Sequence, residues 1–210
     1  MITRRIVLGC GLLGMTTGFT VAVPAVQKGQ YRGRVLTEWL QNGRDMRLQE
    51  PFEFIEHGGR RWPVPGGIVV DGASIPKVFW SIIGGPFEGP YRAASVIHDH
   101  YCDRRVRTAR DVHRMFHIAM ITSGVGAQRA WLMYQAVDTF GPTWPDPKID
   151  PRCEVVDEKY DFERCAQNST LPPLTIPPTR REDLLKFADR IAGEADRADV
   201  RALREAINKL

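Results

Sequence analysis

The sequence has little net charge, few cysteines and no visible internal repeat. Its 210 residues carry a formal net charge of +4, which is too small to indicate nucleic-acid binding, so no nucleic-acid partner is expected. Without a repeat, nothing in the chain indicates a repeat architecture. Hydrophobic residues make up 43% of the chain, an ordinary share for a globular protein. The chain is therefore long and apolar enough to form one domain with a core of useful size.

Cysteine is scarce, with four residues in all. Cys153 and Cys165 flank a short polar loop and are candidates for a disulfide in an oxidising compartment. Cys102 shares a predicted helical face with His98. No signature of a nucleophile surrounds Cys102, so a buried thiol is favoured over a reactive one.

Residues 1–25 resemble an export signal. Two arginines precede a largely apolar run, and Val23-Pro24-Ala25 supplies small residues where a signal peptidase would cleave. We therefore expect an exported protein, periplasmic or secreted. The alternatives are an inner-membrane anchor through residues 6–25 and a lipid anchor at Cys10.

The pattern after the signal predicts an α+β fold. Residues 29–70 have short alternating apolar runs with turn signals such as His57-Gly58-Gly59, which predict a small antiparallel sheet or hairpins. Helical periodicity then predicts a three-helix core, at about 91–103, 109–122 and 127–140.

The predicted organisation has three parts after the signal. An α+β core domain spans residues 26–145, and a proline-rich arm without periodicity spans 146–178. A C-terminal helical segment, 179–210, opens on the capping box formed by Thr179 and Glu182 and is predicted to be a helical hairpin. It would pack on the domain or on a protein partner.

The candidate site centres on His98 and Asp99 in the first core helix. A helix turns by about 100° per residue, so these neighbours face different sides. An antiparallel pairing of the first two core helices would bring Asp111 toward His98. A carboxylate that accepts an imidazole N–H fixes its tautomer, as in hydrolytic dyads.

A cation site is predicted on the other side of the same helix. Asp99 would join Asp71 and nearby backbone carbonyls, and oxygen ligands of this kind suit Ca²⁺ better than zinc. The structural alternatives stay open: His98 capping a carbonyl, Asp99 pairing with an arginine, and Asp71-Gly72 serving as a turn.

A rival metal site would use His113 and His117, which are spaced for zinc. The turn of about 100° per residue places both histidines on the side of their helix away from Asp111, bordered by Arg110 and Arg114. We therefore expect a solvated face there.

Two resemblances rest on these motifs. Asp71-Gly72-Ala73-Ser74-Ile75-Pro76, Phe79-Trp80 and His98-Asp99, with the helices at 109–140, resemble an uncharacterised phage and bacterial family, domain-of-unknown-function family 1353, over roughly residues 30–145. The segments 71–74, 98–101, 111–116 and 130–141 are also distantly similar to small bacterial and fungal secreted phospholipases A(2).

The phospholipase resemblance implies a role for each matching residue. His98 would be the general base that activates water, and Asp111 would orient it. Asp71, the Gly72 carbonyl and Asp99 would hold Ca²⁺, which polarises the ester carbonyl. Ala73 stands where such enzymes tend to have cysteine, and the link between His98 and Asp111 is shorter here.

Two neighbouring segments have both functional and structural interpretations. The apolar run 78–83 would line an acyl channel or form helix core. Five arginines would contact a lipid or membrane surface or form a solvated face: Arg104, Arg105, Arg107, Arg110 and Arg114.

The first functional hypothesis is therefore a calcium-assisted lipid-ester hydrolase. The alternatives are a non-catalytic phage-derived or cell-envelope module and a metal-dependent cell-wall amidase.

Overall fold

A computed structural model describes residues 26–43, 45–72, 77–85, 87–148 and 172–210, with the backbone alone at positions 81 and 83. The predictions of a signal peptide and of a Cys153–Cys165 disulfide concern residues outside this set.

Two small antiparallel sheets precede the helices. The strands are β1 Gln30–Arg32, β2 Thr37–Trp39, β3 Met46–Leu48, β4 Phe52–Ile55, β5 Arg61–Val64 and β6 Val69–Val70. The first sheet has the order β1-β4-β5 and the second has the order β2-β3-β6. The predicted α+β class is confirmed.

Strand β4 lies at the centre of its sheet and is buried along its whole length. Its one charged residue, Glu53, is 8% exposed. Arg61 on β5 neutralises it by donating from Nε and Nη2 to the two carboxylate oxygens, at 2.8 and 3.0 Å. A bidentate pair of this kind satisfies a carboxylate that burial would otherwise destabilise.

The helices follow a 3-10 turn at Lys77–Phe79. They are α1 Trp80–Ile83, α2 Arg92–Arg104, α3 Ala109–Thr122, α4 Ala127–Phe140, α5 Arg181–Ile191 and α6 Arg197–Asn208. The three predicted core helices correspond to α2, α3 and α4, with bounds that agree to within one residue.

Helix α2 is the centre of the domain, with every residue from Ala94 to Cys102 buried. Helix α3 packs against it, and β5, β6 and the 3-10 turn at Gly89–Tyr91 also contact it. A helix covered on all sides buries its polar residues together with its apolar ones. It ends where Arg105 adopts the left-handed conformation, with φ of +46°.

The C-terminal helices form a hairpin that packs on the domain through an aromatic cluster. Phe187 on α5 meets Phe79 and Phe140 with ring centroids 5.5 and 5.3 Å apart. The predicted capping box of Thr179 and Glu182 is not formed, because Arg180 is the N-cap residue of α5 and no side chain caps the helix. In the described residues, every helix is too short or too polar to cross a membrane.

Candidate functional site

His98 lies inside the core, on the face of α2 that contacts α3. It is 1% exposed, and its ring stacks against Phe116 with the centroids 4.7 Å apart. Its Nε2 atom is 2.9 Å from Nδ1 of His113. The histidine therefore meets the second core helix, as predicted, but through a different residue.

A donor and an acceptor can be assigned to each hydrogen bond around His98. The Pro142 carbonyl is an acceptor only, so His113 Nε2, 3.0 Å away, must donate to it. His113 Nδ1 then accepts the Nε2–H of His98. The Cys102 thiol lies 3.7 Å from Nδ1 and 3.8 Å from Nε2 of His98, and because Nε2 is already a donor, only Nδ1 can accept from it. We call this series from Cys102 to Pro142 the histidine chain.

The histidine chain requires both imidazoles to be neutral, because each ring uses one nitrogen as an acceptor. Burial lowers the pKa of His98 well below its usual value, and a positive charge on His113 would lower it further. Burial also lowers the pKa of His113, although the Pro142 carbonyl and Asp138 oppose the change. Cys102 is a buried free thiol, which confirms the structural interpretation of that residue.

The predicted pairing of Asp111 with His98 is not formed. Asp111 instead accepts a hydrogen bond from Nη2 of Arg60 at 3.0 Å. Burial raises the pKa of Asp111, but the hydrogen bond and charge of Arg60 outweigh it, so the net pKa is lowered. The pairing fails because the two residues point in different directions from α3. Asp111 lies on the side of the helix that faces the β4–β5 turn, whereas His113, two residues later, faces α2.

The expectation of a solvated face at His113 and His117 is wrong for the first of these residues. His113 is 3% exposed and belongs to the histidine chain. His117 stacks on Tyr134 with the ring centroids 5.2 Å apart. The burial of His113 could have been predicted from the sequence. At about 100° per residue, His113 lies about 20° from Met120, which belongs to the buried apolar stripe of α3.

The residues of the predicted calcium site lie at the end of β6 and on α2. Asp99 is 6% exposed, Gly72 is buried with φ of +65°, and Asp71 is exposed. Asp103 follows Asp99 by one helical turn and so lies on the same face of α2. Burial raises the pKa of Asp103, and the charge of Asp71 raises it further, against the effect of Arg105.

These carboxylates therefore gather negative charge where β6 meets α2. Among the described residues, no group of three or more histidine, cysteine, aspartate or glutamate side chains has the arrangement of a metal site.

The arginine cluster divides into structural and exposed members. Arg107 lies over the Trp62 ring, 4.0 Å from its centroid, and donates to the Arg61 carbonyl at 2.7 Å. Arg110 and Arg114 are exposed. Arg107 thus joins the link between α2 and α3 to strand β5. A lipid contact of the exposed members stays a prediction.

The predicted apolar run contributes to the core and to a surface groove. Phe79 is fully buried in the aromatic cluster, and Trp80 is half-buried beside a groove of about 480 Å³. We call this the aromatic groove. Trp39, Trp80 and Phe87 form its walls, and Asp71 lies at its edge. Sequence reasoning missed it because β2 and α1 meet only in the folded chain.

Comparisons with known proteins concern the middle of the chain. Residues 46–137 match the profile of a family described as Protein of unknown function (DUF1353). The Uncharacterized protein y4jT of Sinorhizobium fredii is 56% identical over 97 residues, which are 46% of this chain and 29% of that protein. The Uncharacterized protein y4iH of the same organism is 41% identical over 97 residues, 46% of this chain and 41% of that protein.

The chain thus spans less than half of either relative. No solved structure matches it. None of these descriptions names a phospholipase, so that resemblance stays a prediction. Over residues 46–137, which include α2, α3 and most of α4, the chain is similar to the DUF1353 family of unknown function.

Proposed function

We propose that this chain is a non-catalytic binding module in which the His-Asp helix stabilises the fold. The observation that supports this proposal is the position of His98, 1% exposed and bonded through its ring to His113 and Cys102. A general base must lie within hydrogen-bond reach of the proton that it removes, directly or through one water. His98 instead uses both nitrogens inside the core.

The histidine chain has the properties of a structural network. It connects α2 and α3 to the segment after α4, and each of its buried polar groups has a partner. Networks that are fully satisfied contribute to a unique packing of the core, whereas removal of one member leaves a buried group unpaired.

The test compares His98→Asn with the wild type in two measurements. The first is thermal unfolding, in which we expect a loss of about 1–3 kcal/mol from the unpaired nitrogen of His113 alone. The second is hydrolysis of phospholipid vesicles with added Ca²⁺, in which we expect no turnover that depends on His98. Turnover that is lost in His98→Asn at an unchanged melting temperature would overturn the proposal. His57→Asn, in the exposed β4–β5 turn, is the control for histidine replacement.

A calcium-assisted carboxylic ester hydrolase is the second candidate function. It is favoured by the negative charge around Asp71, which raises the pKa of Asp103, because a cation would relieve this repulsion. Asp71, Asp99 and the Gly72 carbonyl would hold the ion, which would polarise an ester carbonyl. Calorimetric titration of Ca²⁺ into the wild type and Asp71→Asn tests this candidate, and heat that is absent from the variant supports it.

A further inference from the structure

We infer that the aromatic groove binds a neutral oligosaccharide, a ligand class that deepens the binding function proposed above and rests on it. Its volume of about 480 Å³ falls within the range of about 300–1,000 Å³ that is usual for small-molecule sites. One or two sugar rings fill such a space.

The walls of the groove are aromatic. Trp39 is 60% exposed and meets the buried ring of Phe87 edge to face, with the centroids 6.1 Å apart. This contact packs Trp39, on the edge strand β2, against the buried ring of Phe87. Trp80 lines the same groove from α1. A single exposed tryptophan needs no explanation, but two indoles in one concave surface offer flat apolar faces to the C–H groups of a sugar ring.

The charges of the groove cancel. Asp71 and Glu88 are balanced by Lys77 and Arg92, and all four residues are exposed. For an anionic ligand such as a phosphate ester, repulsion by the carboxylates offsets attraction by the cations, and for a quaternary ammonium group the reverse holds. A polyhydroxyl ligand without charge avoids both repulsions, and its hydroxyls donate to carboxylates and accept from the cations.

The loop that carries Phe87 and Glu88 is held in place by its own hydrogen bonds. Glu88 accepts from the backbone N–H of Gly85 at 3.0 Å. Arg92 donates from Nε to the Phe87 carbonyl at 2.9 Å, and the Tyr91 hydroxyl donates to the Gly85 carbonyl. A groove ordered before binding loses less conformational entropy when the ligand enters.

Lys77 is an exposed cation beside one of the two indoles of the groove. Its ammonium lies over the Trp80 ring, 5.9 Å from the centroid, at the outer limit of about 6 Å for a cation–π contact. Because this contact is weak and exposed, a sugar ring displaces the ammonium from the indole and gives it a hydroxyl as its new partner.

Calorimetric titration of the full chain with three neutral trisaccharides tests the inference: chitotriose, cellotriose and maltotriose. We expect saturable binding of at least one of them, weakened about tenfold or more in Trp39→Ala, as for a central contact residue. Trp39→Phe keeps part of the stacking surface and should lose less. The matched control is Ile176→Ala, which removes an apolar side chain that is 68% exposed and lies outside the groove.

Asp71→Asn provides a second test that keeps every aromatic ring. We expect it to weaken binding several-fold, because an amide oxygen is a poorer acceptor for hydroxyl groups than a carboxylate. Far-UV circular dichroism confirms that each variant is folded.

The inference is overturned if none of the three sugars binds, if Trp39→Ala binds as the wild type does, or if choline or glycerol phosphate binds more tightly. None of these results involves ester hydrolysis, so they leave the non-catalytic assignment in place. Conversely, turnover that depends on His98 overturns that assignment without affecting a measured sugar affinity.

Discussion

Acidification should destabilise this protein in the pH range where histidines of the unfolded chain begin to take up protons. His98 and His100 are buried, and the pKa of each is lowered, chiefly by burial, with that of His100 falling to about 4. The unfolded chain binds protons with the ordinary histidine pKa of about 6.5. Between these pKa values the unfolded state holds more protons than the folded state, so stability falls as the pH falls.

The size of the effect follows from the difference in bound protons. Each histidine that stays neutral in the folded state lowers the free energy of unfolding by about 2 kcal/mol when the pH drops to about 5. For His98 and His100 together the loss is about 4 kcal/mol, and His113 changes stability in the same direction. A loss of this size is a large part of the usual stability of a domain, about 5–15 kcal/mol.

The change in the free energy of unfolding with pH is measured by urea unfolding at a series of pH values between about 7 and about 5, followed by circular dichroism. His57→Gln, in an exposed turn, is the control for histidine replacement. His100→Gln should reduce the total loss between about pH 7 and about pH 5 by about 2 kcal/mol, the contribution of one buried histidine. If the urea concentration at the midpoint of unfolding stays constant from neutral pH to about pH 5, the conclusion that the buried histidines are neutral is refuted.

Three further changes test other contacts by thermal unfolding. Asp111→Asn removes the partly exposed ion pair with Arg60 and should cost about 1 kcal/mol or less; a larger loss would mean that Asp111 has a structural role beyond this pair. Phe187→Ala opens the aromatic cluster between the hairpin and the domain and should cost about 3–5 kcal/mol of stability. The control, Ile176→Ala, should stay within about 0.5 kcal/mol of wild type. Equal effects of the two changes would show that the hairpin does not depend on that cluster. Trp144→Phe loses the hydrogen bond from Nε1 to the Arg107 carbonyl, 2.7 Å long, and should cost about 1 kcal/mol; an unchanged melting temperature would contradict that bond.

The core helices were predictable because their signals are local. The apolar stripe of α3 and the glycines that follow α3 and α4 depend only on neighbouring residues. The short strands were less accessible, because a strand of two or three residues is stabilised by its partner rather than by its own pattern. Thus β3, which pairs with both β2 and β6, was not predicted as a separate strand.

The candidate site was predicted in part. The sequence indicated that His98 would contact α3, and the structure bears this out through His113. It did not identify the contacting residue. His113 and Asp111 lie at similar angular distances from the middle of the apolar stripe of α3, one on each edge of that stripe. Only the rotation of the packed helix selects between them.

What the sequence by itself determined is the α+β class and the positions of α2, α3 and α4, since periodicity and helix-breaking residues act over a few positions. The tertiary structure decided that α2 is enclosed on every side, so its histidines are buried and neutral rather than exposed to water. It also brought the edge strand β2 beside α1 to form the aromatic groove. Both outcomes depend on contacts between residues far apart in the chain, for which a local pattern carries no information.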